Sequence, residues 1–457
     1  MINKYFFYDH KDKTHLAYIL NSVLFPIKED KFNYLLNKFL SIEKNYFFFH
    51  QPDKEITFLA IEKLHKISIK ESDSADQFDL QISQLKNSLF PNGIQPDLPV
   101  SPFLVGHLKF NSDNKSNFWN DYEYSEWFIP KMLLINNNSK FYIVSNTIES
   151  DKGNIDRQKA GLNKILSGTN NPAVSNSNTR ILNIIQGDDI TGWNSKVENA
   201  LKEISANRIS KVVLARYTDL ELSDNPDIFS LTKRLIKTYP GCYTFAYRNG
   251  DSIFIGSSPE KLFSVRQGIL ETQALAGSFP RGDSEISDTL LEIGLLNDGK
   301  NIVEHKKVLD FIVNQLNSVS NNVSYSINPI VKKLPYIQHL LTRITSKLNN
   351  GISIYSVIKK LHPTPAVCGL PVENAKLMIE NLELFERGLY SGALGWIDFN
   401  GNADIAVGIR SALINGNKLR AFAGCGIVEG SVALSEYKET ELKLKPILSL
   451  FENENID

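Results

Sequence analysis

The sequence of 457 residues predicts an α+β fold built on antiparallel sheet. Segments of strand and helix character follow one another without a regular β-α-β period, which argues against a parallel, doubly wound sheet. Two strand-like runs, 242–247 and 252–255, flank Asn249-Gly250, a dipeptide typical of a tight hairpin turn. Glycine-rich phosphate-binding signatures and the common zinc-protease and serine-hydrolase motifs do not occur in a suitable context.

The first 165 residues contain short strand-like runs separated by polar connectors. Runs rich in aromatic and aliphatic residues predict strands at 58–61, 103–106, 131–135 and 141–144. A polar loop is expected at 111–117, and a linker rich in Asn, Ser, Gly and Pro at 167–179. These features divide the chain into an N-terminal region, 1–165, and a main region, 185–452.

The main region begins with a helix and continues as a mixture of both element types. Apolar residues at helical spacing predict the first helix, at Trp193, Val197, Ala200, Leu201 and Ile204. A strand is expected at 210–216, before the hairpin. Further helices are predicted at about 286–297, 300–317, 350–361 and 372–386, strands at about 389–397, 403–413 and 418–423, and a final helix at about 434–444. Pro446 is expected to end that helix, because proline removes a backbone donor.

Charge and composition exclude several classes of function. The formal net charge is −1, so no strong positive field is present to attract nucleic acid or an anionic membrane. No stretch approaches the roughly 18 apolar residues of a membrane span, and the first ten residues do not form a signal peptide. Cys242, Cys368 and Cys425 are too few and too far apart for a disulfide framework or a zinc knuckle. We expect a soluble cytoplasmic protein.

Lys211 is the first candidate for chemistry. It lies in the strand-like run 210–216 and shares a face with Val213 and Ala215, because side chains alternate along a strand. Burial disfavours the charged ammonium, so a lysine on an apolar face can serve as a base. The alternative is a lysine at the end of a strand that extends its amine to water.

Glu260 is the candidate acid partner. It follows Pro259 directly after a predicted strand and a bend at 256–258, a position that can direct a carboxyl group into a cleft. A general acid needs such a carboxyl, with its pKa raised by burial. The alternative is a surface glutamate in a short helix capped by Ser258.

Carboxylates on two predicted helices suggest a metal site. Glu304 shares a helical stripe with Val308 and Ile312, and a carboxylate that faces a core needs a cation, a metal or a proton. Glu436 and Glu439 lie on one face of the final helix together with Lys443. Small groups of oxygen ligands suit Mg²⁺. The alternative for the final helix is a solvated face with a Glu–Lys pair.

Two further features suit an anionic ligand. The run 421–428 contains Gly424 and Gly426, and glycines this dense let backbone N–H groups approach an anion closely. Arg410 lies in an otherwise apolar strand, where its guanidinium needs a carboxylate. Together with the base, the acid and the metal cluster, these residues predict one site for a small polycarboxylate, with proton transfer and loss or addition of water.

Seven ordered stretches of the main region resemble the chorismate-utilising enzymes. These stretches lie at 211–216, 258–260, 275–278, 362–369, 409–411, 423–428 and 436–443. The stretch 275–278 is expected to be a turn. The family includes isochorismate synthase, salicylate synthase, and the large components of anthranilate and aminodeoxychorismate synthase. The resemblance covers about 193–450, and the first 165 residues match only diffusely. It implies a large α+β fold of two antiparallel sheets packed as a sandwich, with helices outside and N-terminal strands in the same structure.

Three positions discriminate within the family. Amine-forming members carry glutamine where this chain has Lys211, aminodeoxychorismate synthases commonly carry a nucleophilic lysine at Ala276, and salicylate synthases tend to carry threonine at Ala366. The resemblance therefore implies isochorismate synthase activity, which supplies menaquinone or siderophore synthesis. Salicylate synthase is the first alternative, followed by anthranilate synthase component I and by a non-catalytic protein that binds chorismate-like anions.

The resemblance also implies roles for the candidate residues. Lys211 would activate the water that attacks C2 of chorismate, and Glu260 would protonate the leaving C4 hydroxyl. Mg²⁺ would be held by Glu304 and Glu439, with Glu436 close by. The substrate would be bound by the remaining site residues, Ser278, Ala276, His362, Arg410, Gly424, Gly426 and Lys443. No glutamine amidotransferase partner is expected, and similar enzymes are often monomers.

Overall fold

The computed structural model describes residues 2–8, 17–52, 56–89, 103–111, 117–149, 155–168, 179–187 and 189–452. Most of the predicted loop at 111–117 and of the predicted linker at 167–179 lies outside these residues. Within them, the helices are α1 (Glu29–Ile42), α2 (Ala75–Leu89), α3 (Ile155–Ser167), α4 (Ile190–Ser205), α5 (Ile228–Thr238), α6 (Glu285–Asn297), α7 (Gly299–Asn317), α8 (Ile354–Leu361), α9 (Val372–Leu382) and α10 (Ala433–Leu448).

The strands come from both regions of the chain. Those of the N-terminal region are β1 (Ile2–Tyr8), β2 (Ala17–Ile27), β3 (Asn45–Gln51), β4 (Ile56–Ile69), β5 (Phe103–Leu108), β6 (Ser125–Asn137) and β7 (Lys140–Glu149). Those that follow are β8 (Ile181–Gly187), β9 (Lys211–Leu222), β10 (Tyr243–Asn249), β11 (Ser252–Ser258), β12 (Lys261–Arg266), β13 (Ile269–Pro280), β14 (Ser320–Tyr325), β15 (Ile330–Lys333), β16 (Ile337–Leu348), β17 (Gly369–Leu370), β18 (Ala393–Asp398), β19 (Ala403–Val407), β20 (Ser411–Asn415) and β21 (Lys418–Ile427).

Antiparallel pairing connects the strands into two sheets that meet at β6. One sheet runs β4-β3-β10-β11-β20-β21-β9, and the other runs β5-β18-β19-β12-β13-β16. Strand β6 pairs with β4 over most of its length and with β5 near its start. The predicted antiparallel α+β class is confirmed.

An aromatic layer fills the space between the two sheets. Phe47, Phe245 and Phe254 from the first sheet belong to the same buried cluster as Phe103 and Leu394 from the second. The run 46–49 is apolar on both faces because its alternate residues face opposite sides of the sheet. Tyr46 and Phe48 pack in a second cluster with buried side chains of α1 and α5, on the outer side of the sheet. The predicted sandwich is therefore present.

Helices cover the outer faces of both sheets. Buried side chains of α1, α5 and α10 pack on the first sheet, and those of α2, α7 and α8 pack on the second. Helices α4 and α9 pack on β9 and β21. None of the described helices combines the length and the apolar character that crossing a bilayer requires. All three cysteines are buried and free.

Strands of the first 165 residues take part in both sheets. Strand β3 pairs with β10, and β5 pairs with β18. Strand β7 extends the structure, because it pairs with β6 on one side and with β2 on the other. These strand pairings connect residues on both sides of the predicted boundary between 1–165 and 185–452. The division into these two regions therefore remains a prediction.

Three local predictions were wrong. The stretch 275–278 is not a turn between strands but a bulge inside β13, where Gly277 has φ 79° and the register shifts between Ala276 and Ser278. The predicted strand 403–413 is two strands, β19 and β20. Pro446 lies inside α10, because it is only two residues from the end of the helix and the last turn is retained by buried neighbours such as Ile447.

Candidate active site

The candidate site is a cavity between the two sheets. Strands β9 and β21 of the first sheet face β13 and β16 of the second, and α7 and α10 contribute side chains to the wall. The empty space of the cavity is about 610 Å³ when its mouth to solvent is included. Most of the predicted site residues line it: Glu260, Ala276, Ser278, Glu304, Arg410, Gly424, Gly426 and Lys443.

Lys211 lies immediately behind the wall of this cavity. It is the first residue of β9, its side chain is 0% exposed, and Nζ is 2.9 Å from Oε1 of Glu304. Among the described residues, Glu304 is the only acidic partner of this amine. The side chain of Lys211 therefore does not extend to water, which excludes the alternative interpretation. Lys211 and Glu304 lie close together, as one shared site requires.

Glu260 is a buried carboxyl group that keeps its proton to neutral pH. It follows β11 with its side chain 5% exposed, and its backbone N–H donates to the hydroxyl of Ser258. Burial raises the pKa of Glu260 to about 7, against the opposing effect of a hydrogen bond from Thr364 Oγ1 to its Oε1 (3.4 Å) and of nearby cations. The group can therefore act as a general acid near neutral pH.

The three predicted metal-binding carboxylates are each paired with a lysine. Glu304 pairs with Lys211, Glu436 with Lys300 at 2.5 Å, and Glu439 with Lys443 at 2.6 Å. Burial would raise the pKa of Glu304, but Lys211, Lys443 and Lys300 hold it below its usual value. Burial, reinforced by the charge of Glu439, raises the pKa of Glu436.

These carboxylates fit a hard divalent cation in chemistry but not in their present orientation. Among the described residues, no three His, Cys, Asp or Glu side chains converge closely enough to coordinate one metal ion. Each carboxylate points instead at its lysine. Lys300 lies within electrostatic range of all three glutamates, and carboxylate oxygens are the type of ligand that suits Mg²⁺.

Arg410 carries a buried positive charge with no acidic partner among the described residues. Its side chain lines the cavity, and its backbone is in the left-handed region at φ 52°, a conformation that costs about 1–3 kcal/mol for a residue other than glycine. Burial lowers the pKa of Arg410. An unpaired buried guanidinium at a cavity favours an anionic ligand.

His339 connects Arg410 to Ser278. Because a guanidinium only donates, His339 Nε2 must accept from Arg410 Nη2 at 3.0 Å, which leaves the ring proton on Nδ1. Burial, together with the charge of Arg410, holds the pKa of His339 well below its usual value, so the ring is neutral. Nδ1–H then has two acceptors, Ser278 Oγ at 3.0 Å and the Gly277 carbonyl at 3.3 Å, and the hydroxyl proton of Ser278 remains available to a ligand. The backbone N–H of Ser278 is already bonded to Asn301 Oδ1.

The glycines of β21 give the charged side chains room. A Cβ atom at Gly426 would lie 2.4 Å from Glu304 Oε1 and 2.8 Å from Lys211 Cε. At Gly424 it would lie 2.9 Å from the Leu214 carbonyl and from the Tyr390 hydroxyl, and the Gly424 carbonyl accepts from Lys443 Nζ. The glycines at these positions thus have a steric reason besides the predicted approach of an anion.

Gly426→Ala is expected to lower turnover by at least about 10-fold, because the added methyl group forces Lys211 and Glu304 apart by a fraction of an ångström or more. Steady-state kinetics of the folded variant measure this. Gly241→Ala is the matched control, since a Cβ atom there meets nothing within 4 Å. Equal activity of the two variants would contradict the assigned packing.

His362 is the predicted substrate residue that the structure does not bring to the cavity wall. It is buried, its Nε2 donates to the carbonyl of Ser391 at 2.8 Å, and burial lowers its pKa to about 4. Ala276 lines the cavity, and its carbonyl lies 3.3 Å from His305 Nδ1. The other ring nitrogen of His305 lies 2.8 Å from Thr342 Oγ1, so both nitrogens of this buried ring have partners.

Sequence reasoning missed His339, Thr364, Lys300 and Tyr390. The signal for His339 was available, because it is a polar residue on an otherwise apolar stretch of β16. Thr364 and Lys300 acquire their importance from partners that are distant in the chain, Glu260 and Glu436. No local pattern identifies such pairs.

Comparisons with known proteins agree with this geometry. The family described as chorismate binding enzyme matches residues 8–452. Isochorismate synthase MenF of Bacillus subtilis (strain 168) is 32% identical over 424 residues, which cover 92% of this chain and 89% of the relative. Isochorismate synthase MenF of Haemophilus influenzae is 31% identical and covers 97% of this chain and 96% of its own. The solved structure of MenF, the menaquinone-specific isochorismate synthase from Escherichia coli, matches 95% of both chains with a TM-score of 0.78 at 24% identity, which bears on the fold alone.

Proposed function

The chain belongs to the chorismate-binding enzyme family, and on that premise we propose that it is an isochorismate synthase. The observation that carries the proposal is the pairing of two groups at one cavity: a fully buried lysine, Lys211, and a buried carboxyl group, Glu260, whose pKa is about 7. A buried amine and a protonated carboxyl group at one cavity can supply the base and the acid of a proton transfer.

In the proposed reaction, water adds at C2 of chorismate and the C4 hydroxyl leaves as water. Lys211, as a neutral amine, takes a proton from the attacking water, and Glu260 gives its proton to the leaving hydroxyl. The ring double bonds shift from C1=C2 and C5=C6 to C1=C6 and C4=C5. One water is consumed and one is released, so substrate and product are isomers and the reaction is reversible.

Binding of the substrate would use the free donors at the cavity. Arg410 is suited to one carboxylate of chorismate, because it is a buried cation without an acidic partner. The hydroxyl of Ser278, oriented through His339, supplies a second donor. Lys443 lines the wall and holds the Gly424 carbonyl, so it contributes positive charge beside both.

We propose Mg²⁺ as the metal, with Glu304, Glu436 and Glu439 as its ligands. When bound, it would neutralise and orient the ring carboxylate of chorismate. Lys211 can accept a proton only as a neutral amine, and a neutral amine cannot form the ion pair with Glu304 that the structure shows. The proposed base role therefore requires that Glu304 be engaged by a partner other than Lys211 during turnover.

Removal of divalent cations is expected to abolish turnover, and added Mg²⁺ is expected to restore it. Glu304→Gln should reproduce the chelated state even with Mg²⁺ present, because an amide is a poorer ligand for a hard cation. Activity is measured after exhaustive chelation and during titration with Mg²⁺. Glu429→Gln, outside the cavity wall, is the control. Full activity in the chelated enzyme would remove the metal from the proposal.

The pH dependence follows from Glu260. A general acid works only in its protonated form, and with a pKa of about 7 that form is lost as the pH rises. The profile of kcat/KM is therefore expected to fall above about pH 7, tenfold for each further pH unit. In Thr364→Val, which removes a hydrogen bond that lowers this pKa, the descending limb should move to higher pH. If Thr364→Val leaves the descending limb of the pH profile unchanged, the limb reports the titration of a group other than Glu260.

The proposed function is tested with the purified protein, chorismate and Mg²⁺, with products separated by chromatography. Isochorismate is the expected product, and the same mixture should form from either direction. Release of pyruvate with salicylate would indicate salicylate synthase instead. Absence of any chorismate turnover would overturn the proposal.

A further inference from the structure

A buried ion pair between Glu383 and Arg387 lies behind the cavity and outside its wall. Both side chains are almost completely inaccessible, and they form two contacts: Nε to Oε2 at 2.7 Å and Nη2 to Oε1 at 2.5 Å. The Arg387 guanidinium also stacks on the ring of Phe110 at 4.5 Å. A buried ion pair is by itself weak grounds for stability, because desolvation offsets the attraction. Its other contacts indicate a different use.

The pair fills a gap in the sheet beside Lys211. On the side of β9 away from β21, strand β17 pairs only with Lys211 and Val212, and β8 pairs only from Thr218 onwards. Between them, the backbone N–H of Ala215 donates to Glu383 Oε1 at 2.7 Å, and the carbonyl of Val213 accepts from Arg387 Nη2 at 2.7 Å. Two side chains therefore take the place of a missing strand.

Arg387 joins this strand to the loop that carries the partner of the acid. Its Nη1 donates to the carbonyl of Val367 at 2.8 Å, and Val367 N–H bonds in turn to the carbonyl of Thr364. Thr364 is the residue that donates to Glu260. One guanidinium thus connects the strand of the proposed base to the loop that contacts the proposed acid.

We propose that Glu383 and Arg387 form a positioning unit that fixes the distance between Lys211 and Glu260. The expected effect of this unit on catalysis rests on the proposed function. The expected coupling between β9 and the loop that contains Thr364 does not. Lysine cannot replace Arg387, because the unit uses a planar fork to hold one carboxylate and two carbonyl groups at once. Neither residue touches the cavity, so the unit acts through other residues.

The test compares Arg387→Lys with a matched control, Arg420→Lys. Arg420, on β21, also pairs through two nitrogens with a carboxylate, that of Asp219 (2.6 and 2.7 Å), and it stacks on Tyr217. Asp219 and Tyr217 lie on β9, the strand that Arg387 also contacts. Arg420 is not bonded to the loop that contains Val367. Arg387→Lys is expected to lower kcat about 100-fold per folded molecule with KM changed less than roughly threefold, and Arg420→Lys to leave both nearly unchanged.

Amide hydrogen exchange supplies a readout that needs no turnover. In Arg387→Lys, segments 211–217 and 364–368 are expected to exchange faster together, while Arg420→Lys leaves them protected. If Arg387→Lys does not fold, Glu383→Gln replaces it, since it keeps an acceptor for Ala215 but loses the charged pair. Wild-type exchange in both segments would overturn the inference, as would kcat equal to that of Arg420→Lys. If the wild-type enzyme does not convert chorismate, the proposed function is refuted. The amide exchange rates of the two segments would still test the positioning unit.

Discussion

Replacing Lys211 with alanine is expected to slow isochorismate formation by about 10²- to 10⁴-fold, the contribution typical of a positioned base. The amine is completely buried, and Lys211 Cε would lie 2.8 Å from a Cβ atom at Gly426 in the cavity wall. Steady-state rates with chorismate and Mg²⁺ measure the loss. Thermal unfolding establishes that the variant is folded at the assay temperature.

A second variant separates loss of the base from disturbance of Glu304. In Lys211→Ala the carboxylate of Glu304 loses its partner at 2.9 Å, which alone could disturb the site. Glutamine at position 211 can still donate a hydrogen bond to Glu304 but cannot take up a proton. We therefore expect Lys211→Gln to be as inactive as Lys211→Ala. Turnover in Lys211→Gln close to that of the wild type would refute the role of the lysine as base.

Glu260→Gln is expected to lose activity to a similar extent, about 10²- to 10⁴-fold, because the amide cannot protonate the leaving hydroxyl. The descending limb of the pH profile near pH 7 should disappear from the residual activity. Glu271→Gln, on β13 with a half-exposed side chain, is the control and should behave as the wild type. A normal rate in Glu260→Gln would require another acid.

The same substitution is expected to stabilise the protein at alkaline pH. The pKa of Glu260 is raised from 4.5 to about 7 in the folded chain, so its contribution to stability is complete below about pH 4.5 and is lost as the pH rises to 7. That loss amounts to about 3 kcal/mol. Urea unfolding at about pH 8 should show Glu260→Gln more stable than the wild type, and the advantage should vanish near pH 4. Equal stability at both pH values would contradict the raised pKa.

The local character of the catalytic residues was predictable from the sequence. Lys211 stands out because a lysine rarely occurs in a run such as 210–216, and Glu260 because it follows a strand and a proline. Helical spacing placed Glu304 on an inward face of its helix and two glutamates on one face of α10, and in the structure each of the three pairs with a lysine. These predictions depend on periodicity and neighbours, which short stretches of sequence encode.

Features that depend on distant contacts were not predictable. The bulge at Gly277 keeps β13 paired with β16, whereas the residues alone resemble a turn. The hydrogen bonds among Arg410, His339 and Ser278 join β13 and β16 to the loop between β19 and β20, and the bond from Thr364 to Glu260 spans 104 positions. The pairing of Glu436 with Lys300 was also missed, because the two residues are 136 positions apart in the chain.

The most direct test of the account is isotope transfer from solvent. The wild-type enzyme converts chorismate in H₂¹⁸O with Mg²⁺, and the reaction is stopped well before equilibrium. The isochorismate is then analysed by mass spectrometry. We expect one ¹⁸O atom in the product, at the C2 hydroxyl, and no product in Lys211→Gln. Isochorismate that retains the unlabelled hydroxyl of the substrate would mean that no water is activated, and the roles of Lys211 and Glu260 would both be wrong.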